Sequence, residues 1–117
     1  MKYSDKIKQS NKLIKAIYSL KDNESIYVTY GKDYNGKPRV FNIKAYESGT
    51  DGKMSYSIWD SLRGMNIEKI GRTTMKAYDY NMMTQKTTYT FPLYKMVLQN
   101  IPEGVDIRRY INEYINI

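Results

Sequence analysis

Residues 25–46 read SIYVTYGKDYNGKPRVFNIKAY. Two runs rich in β-branched and aromatic residues flank Asn35-Gly36, a dipeptide suited to the positive φ angles of a type I′ hairpin turn. With that turn, Tyr30 faces Phe41, Val28 faces Ile43 and Ile26 faces Ala45, so one side of the ribbon is wholly apolar. Tyr27 opposite Lys44 and Thr29 opposite Asn42 form the other side. Pro38 then lies across from Asp33, at a strand start where a missing N–H is tolerated.

Working outward, residues 4–21 have the spacing of an amphipathic helix. Tyr3, Ile7, Leu13, Ile14, Ile17, Tyr18 and Leu20 share one arc, Ser4 or Asp5 can cap it, and Asp22-Asn23 ends it. After the hairpin, Asp51-Gly52 predicts a second turn, pairing Ala45 with Ile58 and Phe41 with Leu62. That register places Asp60 beside Ile43, and the preferred reading is a strand to about Asp60 followed by a turn. A short helix over 57–65 is the alternative. Residues 67–80 and 86–93 read as another hairpin joined by 81–85. Thr87, Tyr89, Phe91 and Leu93 lie on one face; in the partner, Met75 and Ala77 oppose Lys76, Tyr78 and Tyr80. Pro92 then starts a short helix that Pro102 stops. Asp106 caps a last one carrying Ile107, Tyr110, Ile111, Tyr114 and Ile115 at helical spacing. The expected fold is a single α+β domain: an N-terminal helix, an antiparallel β-meander of four to five strands, and two C-terminal helices packed on one face.

Composition narrows the chemistry. The 117 residues include no cysteine and no histidine, which removes disulfides, thiolate chemistry, zinc ligation and the commonest general base. No Gly-x-Ser-x-Gly elbow, repeated carboxylate spacing or glycine-rich phosphate loop occurs, so neither catalysis nor a metal or cofactor is expected. No apolar run approaches the ~20 residues of a bilayer span, and no signal peptide is visible. A reducing bacterial cytoplasm fits, as does secretion. The net charge is +7, with residues 1–21 carrying six lysines against one aspartate. Such a field attracts polyanions.

Lys8, Lys12 and Lys15 form one helical stripe, suited to phosphate contacts or to solvation alone. Tyrosine supplies 13 residues. Tyr3, Tyr18, Tyr30, Tyr56, Tyr89, Tyr110 and Tyr114 fall at core positions. Tyr27, Tyr34, Tyr46, Tyr78 and Tyr80 fall on the other face or in turns, among Arg39, Lys44, Arg72 and Lys76. Aromatic rings interleaved with cations suit base stacking and phosphate neutralisation, pointing to nucleic acid or a nucleoprotein complex as partner. The rival reading is a protein-binding or self-assembling interface built on Trp59, Met82 and Met83.

Lys, Asn, Tyr, Ile and Met are heavily used while Ala and Pro are sparse. In that style the chain resembles the small accessory proteins of AT-rich Gram-positive phages and mobile elements, the group that includes anti-CRISPR and host-takeover proteins. The resemblance implies an inhibitor of a bacterial defence or host machine. A basic inhibitor would contact nucleic acid or an acidic protein surface rather than mimic DNA.

Overall fold

The computed structural model describes residues 1–49, 51–60, 63–80, 86–102 and 104–110. It contains a helix α1 (Tyr3–Tyr18) and strands β1 (Ser25–Lys32), β2 (Pro38–Ser48), β3 (Lys53–Trp59), β4 (Gly64–Ile70), β5 (Thr74–Tyr80) and β6 (Lys86–Pro92). A 3₁₀ turn (Leu93–Lys95), strand β7 (Val97–Gln99) and helix α2 (Ile107–Tyr110) follow. All seven strands form one antiparallel sheet in the order β6-β5-β4-β3-β2-β1-β7. The fold is therefore mostly β, and it corrects the expected short meander capped by two C-terminal helices.

The connection between the two edge strands dictates the sheet's shape. Four residues separate Pro92 in β6 from Val97 in β7, a reach of at most about 17 Å. In a flat seven-stranded sheet the edges would stand roughly 29 Å apart, at ~4.8 Å per strand. The sheet must curl, and it does so into a half-barrel. Phe91 of β6 meets Phe41 of β2 edge-on at 5.6 Å and Tyr30 of β1 at 6.3 Å across the concavity. Leu13 and Ile17 of α1, with Leu93 and Met96 of the crossing segment, fill that concavity against Val28, Phe41, Ile43, Ile58, Met75 and Ala77. Here the expected helix after Pro92 gives way. Only its first turn forms, and Val97–Gln99 instead pairs with the free edge of β1, which satisfies backbone groups that a helix would have left open on that edge.

The first hairpin keeps its expected faces but not its expected register. Val28 pairs with Phe41 and Ile26 with Ile43, a slip of two residues, while Pro38 faces Lys32. Two bulges account for it. The turn is closed by Gly36 N–H to Asp33 O, and the Asp33 carboxylate accepts the N–H groups of Asn35 and Lys37. Gly36 alone of the two turn residues has positive φ (77°), so the turn is type I with a glycine bulge, not I′. Gly31 (φ 69°) makes a second bulge between Thr29 and Lys32. One bulge would have flipped every side chain; two restore the parity. The second turn behaves alike: a four-residue connection 49–52 pairs Ala45 with Tyr56 and Ile43 with Ile58. Asp60 thereby escapes Ile43 and pairs with Arg39 instead. Residues 57–59 are strand, not helix.

Further corrections concern the ends and the tyrosines. Lys2, not Ser4 or Asp5, occupies the N-cap of α1. Residues 67–70 belong to β4, turned back into β5 by Gly71–Thr73. Tyr3 and Tyr18 are exposed rather than core. Tyr30, Tyr56 and Tyr89 pack on the core as expected, whereas Tyr110 is buried at β7, donating its hydroxyl to Gln99. Leu62, Ile111, Tyr114 and Ile115 lie outside the described residues.

Candidate binding surface

Because successive strand residues alternate, the convex face is built from the residues that do not face α1. Its centre is a small grid. Asn42 of β2 pairs with Trp59 of β3, which pairs with Gly64 of β4; one step along, Lys44 pairs with Ser57, which pairs with Asn66. Asn66 in turn pairs with Tyr78 of β5, and Asn42 with Tyr27 of β1. Small residues in the middle columns leave a depression between larger neighbours. Asn23, Asn42, Lys44, Tyr46, Ser57, Trp59 and Asn66 line a hollow of about 420 Å³.

Trp59 is the large wall of that hollow. A Cβ built on Gly64 would lie 2.4, 2.4 and 2.6 Å from Cε3, Cζ3 and Cη2 of the indole. Near-equal distances to three consecutive ring atoms put the six-membered ring face-on over the glycine. The indole N–H donates to Ser57 Oγ at 2.8 Å, which orients the ring and satisfies its one donor. Yet Trp59 remains 51% exposed, because its other side has no cover. Opposite, the Tyr46 hydroxyl donates to Asn66 Oδ1 at 3.3 Å, carrying its phenol across β3.

Cations surround this aromatic patch. Lys44 is exposed and forms no ion pair among the described residues. Beyond a β4 bulge, Lys69 stands directly across from Lys76 of β5, a like-charge juxtaposition that disfavours the bare surface. Lys86 lies over the Tyr78 ring at 4.1 Å and donates to Glu68 at 2.6 Å. That hydrogen bond, and then the ammonium charge, hold the Glu68 carboxyl below the usual carboxylate range. Acidic residues are few here, and no group of three potential metal ligands occurs among the described residues.

The sequence-derived candidates divide accordingly. Tyr27, Lys44, Lys76 and Tyr78 do share the convex face, whereas the side chain of Tyr80 lies outside what the structure describes. Tyr27 sits toward its margin, lining a separate hollow of about 520 Å³ with Asn100, Ile101, Val105 and Asp106. Arg72 is exposed in the β4–β5 turn. Arg39 is a correction: it shares the inward parity of Phe41, stacks its guanidinium on that ring at 4.9 Å and pairs with Asp60, so it faces away from the convex surface. Lys8, Lys12 and Lys15 are exposed on the side of α1 opposite Leu13 and Ile17. They occupy the far side of the molecule from the tyrosines, and one short ligand segment cannot touch both sets. Met82 and Met83 lie outside the described residues. Asn66, Lys69 and Lys86 were missed by sequence reasoning, and Asn42, which strand alternation places on Tyr27's face, was not singled out.

Among the described residues no helix is long and apolar enough to cross a membrane. Comparison with protein-family models, with curated proteins and with solved structures gave no match for this chain.

Proposed function

We propose that this protein binds single-stranded nucleic acid, or a nucleoprotein carrying it, through the convex face of its half-barrel, and acts by binding rather than by catalysis. The observation that carries this reading is a half-exposed Trp59, flanked by Tyr46 and Tyr78, beside Lys44, Lys69 and Lys76, three lysines that close no ion pair among the described residues. Aromatic faces stack bases of any sequence, and lysines neutralise the phosphates between them. An anion between Lys69 and Lys76 would also relieve their mutual repulsion. In this reading the helix stripe Lys8, Lys12 and Lys15 contributes to the long-range positive field and makes no contact. A protein interface centred on Trp59 is the second reading, favoured by its half-exposed ring. The likeness to phage accessory proteins rests on composition and adds no residue to either.

Fluorescence anisotropy of labelled single-stranded oligonucleotides at ~50 and ~200 mM salt tests the reading. Binding should weaken with a log–log slope of about −0.7 per neutralised phosphate. Absence of binding at the lower salt refutes it.

A further inference from the structure

We infer that the hollow between Trp59 and Tyr46 is a slot for one unstacked nucleobase, with the base lying on the open face of Trp59 and its phosphate at Lys44. This rests on the convex face being the nucleic-acid surface, and it assigns a defined role to one part of it. Four observations converge. The indole is held at one orientation from behind by Gly64 and at its edge by Ser57, so its free face is a fixed platform rather than a loose side chain. The hollow, at about 420 Å³, lies within the ~300–1,000 Å³ range of small-molecule sites.

The polar lining is the third observation. Asn66 Oδ1 accepts the Tyr46 hydroxyl, which leaves the Asn66 amide N–H₂ as a donor. Asn42 Nδ2 donates to the Ile26 carbonyl at 3.2 Å, which leaves Asn42 Oδ1 as an acceptor. One donor and one acceptor at the two ends of the β3 floor complement the mixed donor–acceptor edge that every nucleobase carries. Fourth, among the described residues the one charged group lining the hollow is Lys44, and no carboxylate lines it. That charge favours a nucleotide over a neutral sugar, which would also stack on an indole.

Trp59 is the chain's one tryptophan, so its emission reports this slot alone. Titration of the intact protein with a single-stranded oligonucleotide should quench that emission with the midpoint seen by anisotropy. Replacing bases by abasic sites should weaken binding roughly 5- to 150-fold at the position that fills the slot, the worth of one stacked base. Asn66→Ala and Lys44→Gln, both exposed positions, should each weaken the quench without unfolding the protein, which covers the chance that Trp59→Ala does not fold. Nucleoside monophosphates should quench weakly, and a neutral pyranoside should not. Oligonucleotide binding with unchanged emission would overturn the slot and leave the binding face intact. Quenching by monophosphates with no oligonucleotide binding would keep the slot as a free-nucleotide site and refute the wider reading. Quenching by the pyranoside alone would overturn both.

Discussion

Gly64→Ala is the most informative single substitution in this protein. The new Cβ would fall about two-thirds of a van der Waals contact from the indole of Trp59, at 2.4 Å from two ring atoms. Backbone pairing fixes Gly64 opposite Trp59, so the ring has to move. An indole about half covered keeps roughly 100 Å² of apolar surface from water, worth about 2.5 kcal/mol at ~25 cal/mol/Å². Its hydrogen bond to Ser57 adds about 1 kcal/mol. Tilting forfeits part of each, so Gly64→Ala should destabilise by about 1–3 kcal/mol. In a Trp59→Ala background the same change should be neutral or stabilising by about 0.5 kcal/mol, since alanine suits a strand better than glycine. Urea unfolding of the four variants in a double-mutant cycle should therefore give a coupling of about 2 kcal/mol, with a red-shifted tryptophan emission in Gly64→Ala. Additive effects within ~0.5 kcal/mol, or unchanged emission, would refute the stacked geometry.

Three further outcomes follow from the same contacts. Ser10 on α1 is fully buried and its Oγ has no hydrogen-bond partner among the described residues, so Ser10→Ala should stabilise by about 1 kcal/mol, read as a rise of roughly 4 °C in melting temperature. Arg39→Ala removes one partner of the Asp60 carboxylate, whose side chain is 2% exposed and which also accepts the Arg63 N–H; it should cost about 1–2 kcal/mol by urea unfolding while leaving oligonucleotide affinity unchanged. Glu68 has a folded pKa below its unfolded value because of Lys86, so its contribution is present above about pH 4 and is lost as pH falls through the lowered value. Glu68→Gln should flatten that part of the melting temperature's acid limb, and high salt should do the same.

What the sequence made legible was faces more than registers. Period-two alternation in 26–30, 41–45, 75–78 and 87–91 assigns inward and outward side chains correctly, and the structure preserves those faces. Registers depended on turn geometry, and a sequence motif such as Asn35-Gly36 serves a type I turn with a bulge as readily as a type I′ turn. The even slip hid the error, because Gly31 added a second bulge. The C-terminal half failed for a different reason. Leu93–Lys95 starts as the spacing suggests, but Val97–Gln99 is drawn into strand by the open edge of β1, some seventy residues earlier; such tertiary demand outranks local propensity. Of the candidate surface, Lys44, Lys76 and Tyr78 were readable from alternation. The Trp59–Gly64 stack and the Lys69–Lys76 pair were not, since both depend on the β3–β4 and β4–β5 pairings that no turn motif announced.

The convex face and the outer side of α1 are the two surfaces of the molecule that could touch the ligand. Anisotropy with a single-stranded oligonucleotide should compare the double variant Lys44→Gln/Lys76→Gln with the triple variant Lys8→Gln/Lys12→Gln/Lys15→Gln. The convex-face pair removes less charge, yet it should weaken binding more than about tenfold and shrink the salt slope by about 1.4, two phosphates' worth. The helix triple, acting through the long-range field alone, should cost less than about threefold and leave the slope unchanged. The reverse order would contradict the account and move the nucleic-acid contact to α1.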